Sequence, residues 1–218
     1  MDWSPFMISI QIAVPATVIT FFLGIYTACK VSRAGKRLAR VLDVFFTLPL
    51  VLPPTVVGFL LLILLGKNGL LGKPLQEAGI QIVFTRTAAV IAAIAISFPL
   101  MYRSAKAAFE QVDQDMIYAA RTLKASEARI FWRIILPDAL PGVASGTILS
   151  FARALGEFGA TLMIAGNIAH KTQTMPLAIY MAIQGGDGKE AACWSLIILI
   201  LSFFIIMVMN CFSIRKQY

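Results

Sequence analysis

Residues 106–137 read KAAFEQVDQDMIYAARTLKASEARIFWRIILP, and two helical patterns follow one another within them. From Lys106 to Leu123 the apolar residues Phe109, Val112, Met116, Ala119 and Leu123 recur at intervals of three or four, while Glu110, Gln111, Asp113, Gln114 and Asp115 take the opposite face. A second, shorter helix is predicted to begin at Ser126, which suits an N-cap with Glu127 in the first turn. It runs through Ile130, Phe131 and Ile134 until Pro137 interrupts it. The stretch is therefore a polar helical hairpin. The sequence on both sides of it is apolar at the length of a membrane span, and spans joined by a folded helical loop make an all-α, polytopic chain.

Composition agrees. Of the 218 residues 59% are hydrophobic and 14% charged, whereas soluble domains average about half apolar and about a quarter charged. A bilayer core takes about 20 apolar residues per helix. Five spans are predicted, at residues 8–29, 44–65, 87–102, 140–164 and 193–212, each too continuous for the period-two alternation of barrel strands. Arg86 and Arg103 flank the third and are expected to snorkel toward headgroups. Together these form a single transmembrane domain over residues 1–218, with no room for a large soluble one.

Of the 19 Lys and Arg, 13 lie in Lys30–Arg40, Arg103–Arg133 and Arg215–Lys216, against five (Lys67, Lys73, Arg86, Lys171, Lys189) on the other side. The positive-inside rule then puts the hairpin and the carboxyl terminus in the cytoplasm and the amino terminus outside. The net charge of +8 is distributed over three loops separated by spans, which argues against a nucleic-acid partner. Met1–Pro5 carries Asp2 and no basic residue, so the first span is not expected to be a cleaved signal. Cys29, Cys193 and Cys211 are too dispersed for a disulfide framework, and His170, the single histidine, has no metal-ligand neighbours. Trp3, Trp132 and Trp194 fall near span ends and are expected to be interfacial anchors. The carboxyl-terminal tail from Ser213 to Tyr218 is short and basic.

Within the hairpin, Tyr118-Ala119-Ala120, Leu123, then Lys124-Ala125-Ser126, then Ile134, Leu136 and Pro137 resemble the cytoplasmic signature of ABC importer permeases. In that family a Glu-Ala-Ala triplet is followed after three residues by Gly and later by Ile-x-Leu-Pro. The resemblance implies a coupling helix that sits in a groove of a separate ATP-hydrolysing subunit, over a coupling loop spanning 106–137. Tyr118 stands where Glu is usual and Lys124 where Gly is usual, the latter at a helix end suited to positive φ. The motor is expected on another polypeptide, because no Gly-Lys pair here is followed by the Ser or Thr of a phosphate-binding loop. ATP and Mg would belong to that partner, leaving no cofactor in this chain. A two-fold pair with the pore between the copies is the assembly the family implies.

Three further stretches bear on the cargo. In the second span Thr47–Gly58 places Pro49, Pro53 and Pro54 close together, so the helix must bend. The carbonyls freed there belong in protein or beside a wet cavity, near Thr55 and Gly58. In the fourth span Arg153 and Glu157 are four apart on one face, with Ser150 and Thr161 continuing it and Gly159 between. Such a polar stripe is either an internal ion pair that fixes packing or part of a pathway or gate. Third, an outer turn at Ile164–Asn167, an exposed loop and a short apolar segment from Met175 precede the last span.

With the Pro-Pro-Thr-Val-Val-Gly and Gly-Glu-Phe-Gly-Ala-Thr runs, these stretches resemble the molybdate permease subgroup of the family over nearly the whole chain. Sulfate permeases tend to carry Tyr and Ser where Phe158 and Ala160 stand, and tungstate permeases diverge further. What is implied is import of an oxyanion delivered by an extracellular binding protein, with molybdate favoured and sulfate, thiosulfate or tungstate as alternatives. A secondary anion transporter would show paired broken helices in two similar halves, whereas proline clusters only in the second span.

Overall fold

The computed structural model describes residues 2–32 and 34–213, with side chains up to 209. The tail 214–218, with Arg215 and Lys216, lies outside the described residues, as does the side chain of Cys211. The order is α1 (Ser4–Ser32), α2 (Lys36–Val51), α3 (Pro54–Leu65), α4 (Gly72–Glu77), α5 (Arg86–Glu110), α6 (Gln114–Thr122), α7 (Glu127–Ile130), a π-turn (Phe131–Ile135), α8 (Leu136–Leu155), α9 (Gly159–Ala165), α10 (Met175–Gln184) and α11 (Gly188–Ser213). No strand occurs among the described residues.

Four helical runs are long and apolar enough to cross a membrane: Ser4–Ser32, Arg86–Glu110, Glu127–Leu155 and Gly188–Met209. The predicted span over 44–65 is a broken pair, α2 and α3, bent by 110°, and counts as a fifth span if taken together. The cause is the proline cluster: Pro53 caps α3 and Pro54 opens it, where a missing N–H costs nothing, and neither can continue α2.

α5 is the centre of the molecule, with α1 against one side and α8 against another. The α1–α5 seam is built from Ala13, Ala16, Ala88, Ala89, Ala92 and Ala93, all fully buried. In lipid there is no hydrophobic drive between helices, and small side chains let backbones approach for dispersion contact. A polar thread crosses this core. Thr20 and Ser97 hydroxyls lie 3.3 Å apart, and Ser150 of α8 donates to the Ser97 carbonyl at 3.4 Å. α3 packs on α9, and α11 lies outermost against α8 and α10, with Leu196, Leu199, Phe203 and Phe204 exposed on it.

Four expectations are corrected. The predicted span over 140–164 is not continuous: α8 ends at Leu155 and α9 starts at Gly159, and the Glu157 carboxylate between them reaches forward to accept from the Ala160 N–H in the first turn of α9. Pro137 does not end the helix before it. The preceding π-turn re-registers the carbonyls that a proline leaves without a donor, so the helix runs on from Glu127 to Leu155. Trp194 is not an interfacial anchor: it is fully buried, edge-on to Trp3 with centroids 6.1 Å apart, and its N–H reaches Glu190. Nor does Arg86 snorkel. Its guanidinium ties three segments together, donating to Gln11 Oε1 of α1 and to the carbonyls of His170 and Lys171.

Candidate functional site: an exposed hairpin and a broken intramembrane helix

The hairpin is shaped by its caps. α5 stops at Glu110, and Asp113 accepts from the Asp115 N–H at 2.8 Å to start α6. The single helix predicted from Lys106 to Leu123 is therefore two, and the break rotates its faces. Phe109 and Val112 remain buried and Ile117 joins them, whereas Met116, Ala119 and Leu123, predicted on the same face, point outward, with Leu123 83% exposed. Tyr118 is exposed beside them. Ser126 caps α7 as expected, accepting from the Arg129 N–H.

The end of α6 explains the Gly usual at position 124. The Ala125 N–H donates to the Ala120 carbonyl and the Lys124 N–H to that of Arg121, the paired bonds of a Schellman cap. Lys124 accordingly sits at φ +57°, in the left-handed region. Arg121 then bridges back to Glu127, Nε to Oε1 at 2.8 Å and Nη2 to Oε2 at 3.2 Å, joining the two arms. The hydrogen bonds that it donates to Glu127 raise the Arg121 guanidinium pKa above its ordinary value. Ala125 and Leu136 are half-buried at the base, and Ser126 and Pro137 are exposed.

The second locus lies where α8 breaks. Arg153 Nη1 donates to Glu157 Oε2 at 2.9 Å, and Glu157 Oε1 accepts from the Ala160 N–H at 2.7 Å. Glu157 is 2% exposed and the Arg153 side chain 32%. An arginine without a partner at the centre of a bilayer costs about 2.5–3.5 kcal/mol on insertion scales, which the carboxylate offsets. α3 fixes the break from the other side. A Cβ on Gly58 would lie 2.6 Å from Ala160 Cα, and one on Gly159 would lie 3.1 Å from the Thr55 methyl. The Phe158 ring rests on Tyr180 of α10 at 5.3 Å. The proline bend and the polar stripe, far apart in sequence, thus form one unit. Ser150, Gly159 and Thr161 are buried inside the chain, Thr55 is exposed, and Arg153 is the half-exposed group of the stripe.

One ionisable cluster had no sequence signal. Asp43 of α2 accepts from Lys106 Nζ at 2.6 Å and from the Tyr102 hydroxyl, both on α5, and Lys106 also lies 3.5 Å from Glu110. Asp43 stands just before the apolar run, 63 residues from Lys106, so periodicity could not pair them. Among the described residues no group of three or more His, Cys, Asp or Glu is placed to hold a metal.

Comparison with known proteins places this architecture. The permease protein YvgM of Bacillus subtilis (strain 168) is 44% identical over 94% of this chain and 90% of its own length. The molybdenum transport system permease protein ModB of Escherichia coli (strain K12) is 42% identical over 88% of this chain and 84% of its own. Among solved structures, a bacterial ABC transporter involved in import of the acidic polysaccharide alginate superposes with a TM-score of 0.78 at 16% identity, covering all of this chain and 82% of that one. The fold is thus that of an ABC transporter membrane subunit. The family description for binding-protein-dependent transport system inner membrane components matches residues 4–213, and the chain belongs to that family as a multi-pass membrane protein.

Proposed function

We propose that this chain is the membrane subunit through which an ATP-driven importer passes molybdate. The observation that carries the cargo is the 42% identity, over most of both chains, to a permease named for molybdenum transport. The chain works as a two-fold pair, with ATP and Mg held by a separate subunit and with molybdate delivered by an extracellular binding protein. The amino terminus faces outward and the carboxyl terminus the cytoplasm, as the distribution of basic residues supports.

Two features support the coupling role of the hairpin. Met116 and Tyr118 on α6 and Leu123 just past its end are exposed apolar side chains, left uncovered by the described residues, and the Arg121–Glu127 bridge stiffens the turn behind them. An amphipathic helix with an outward apolar face suits a groove on a partner. The pathway is assigned to the stripe Thr55, Gly58, Ser150, Arg153, Glu157, Gly159 and Thr161, of which exposed Thr55 and half-exposed Arg153 meet the path and the other five are packed behind them inside the chain. Motion of the hairpin is carried to it directly, because α7, the π-turn and α8 form one continuous helical rod ending two residues before Glu157.

The test is uptake of labelled molybdate, with sulfate and tungstate as competitors, in cells lacking and then regaining this chain. Restored uptake that unlabelled molybdate suppresses more strongly than sulfate does is expected. Restoration of sulfate uptake alone would replace the cargo and leave the importer assignment standing.

A further inference from the structure

We infer that Glu157 is a tethered counter-ion that competes with the transported oxyanion for the Arg153 guanidinium, so that the anion touches Arg153 in passing and is not retained. This rests on the proposal that the chain passes a tetrahedral oxyanion, and names the contact and the device that keeps it weak.

The two partners of the pair are unequally placed. Glu157 is 2% exposed and both its oxygens are engaged, one by the Ala160 N–H and one by Arg153. Its backbone lies in the break between α8 and α9, clamped by the fit of Gly159 against Pro54 and Thr55 and by the contact of Phe158 with Tyr180. The carboxylate therefore cannot follow an anion away. Arg153, by contrast, keeps a third of its side chain exposed, and among the described residues its only polar partner is Glu157, reached through Nη1. The Nε/Nη2 edge of the guanidinium is left over. A planar guanidinium offers donors along two edges, so one holds the carboxylate while the other meets two oxygens of a tetrahedral oxyanion.

The charge balance makes the contact transient. An unpaired arginine in a low-dielectric site would bind a dianion tightly and slow its departure. With Glu157 fixed behind it, the pair is neutral as a whole, and each step the anion takes toward Arg153 also brings it toward a carboxylate that repels it. Selectivity can then reside in the delivering protein while the membrane path stays free of a trap.

The experiment uses the assembled transporter with its partner subunits, without nucleotide, and labelled molybdate as the probe in equilibrium binding, alongside uptake in reconstituted vesicles. Glu157→Gln removes the charge but keeps a side-chain oxygen for the Ala160 N–H. It is expected to tighten molybdate binding at least about tenfold, a decade being about 1.4 kcal/mol, and to slow import. Adding Arg153→Gln should abolish the gained binding. A structural defect would not create affinity, so Glu157→Gln binding no tighter than the unmodified complex, or a gain that survives Arg153→Gln, overturns the inference. Arg153→Lys serves if Glu157→Gln fails to assemble: the loss of the second edge should lower import several-fold, and unchanged import overturns the inference. Failure of the unmodified complex to import any oxyanion would instead overturn the function on which it rests.

Discussion

Two single positions carry backbone demands, one that its side chain barely meets and one met by having no side chain at all. Lys124 is held at φ +57° by the Schellman bonds at the end of α6, a conformation that costs a residue with a Cβ about 1 kcal/mol relative to glycine. Lys124→Gly is therefore expected to stabilise the chain by about 1 kcal/mol, a rise in melting temperature of about 2–4 °C for a domain of this size. Thermal unfolding of the solubilised protein would show it, and an unchanged or lower midpoint would count against the cap. Gly58 presents the opposite case. Its missing Cβ would come within 2.6 Å of Ala160 Cα and 2.8 Å of the Ala160 carbonyl, both backbone atoms that cannot swing aside. Gly58→Ala should cost about 1–3 kcal/mol by overpacking, and it should lower import by prying α3 from the break at Glu157. Wild-type melting and uptake in this variant would mean that α3 and α9 are not in such close contact.

Helices were more legible in the sequence than their interruptions. Hydropathy reports which solvent a segment prefers, and the long apolar runs accordingly appear as α1, α5, α8 and α11. The three prolines also announced the bend between α2 and α3, since each lacks a donor. The break at Gly156–Phe158 left no such mark: the polarity pattern of a continuous helix with an i,i+4 ion pair is the same as that of a helix whose acid has turned to cap the next one. Likewise the Arg86 clamp and the Asp43–Lys106 pair depend on partners 59–85 residues away, beyond the reach of any local period. The polar stripe was legible because charge inside a membrane is costly; how it was arranged was not. The hairpin shows both outcomes, with the Ser126 cap legible and the outward turn of Met116 and Leu123 missed for want of the Asp113 cap. That outward face carries an expectation of its own. Met116→Asp with Leu123→Asp puts two carboxylates on exposed positions, so folding should be spared, while an apolar groove on the motor would have to desolvate them. Co-purification of the ATP-hydrolysing subunit is expected to drop at least tenfold, a loss of about 1.4 kcal/mol or more, with membrane insertion unchanged; full recovery of the motor would remove α6 from the docking surface.

The proposed function requires that the two ends of the molecule lie on opposite sides of the bilayer, since it has a cytoplasmic motor reach the hairpin while a binding protein reaches the opposite loops. In that proposal α8 is the lever between them: the rod from Glu127 to Leu155 begins at the hairpin and ends at the Arg153–Glu157 pair, and α10 beyond it touches the break through Tyr180. The excess of basic residues at the hairpin end, Arg103, Lys106, Arg121, Lys124, Arg129 and Arg133 within one segment, is the support for the proposal that this end is retained inside. Lys189, at the start of α11, and Arg129, on α7, are both exposed and so report the two sides independently. In a background with Cys29, Cys193 and Cys211 replaced by Ser, Lys189→Cys should react with a membrane-impermeant maleimide in intact cells, whereas Arg129→Cys should react only after the membrane is opened. The reverse pattern would turn the lever upside down, leaving α6 where no ATP-hydrolysing subunit can grip it, and the coupling role of the hairpin would have to be abandoned even though every helix contact described above would stand.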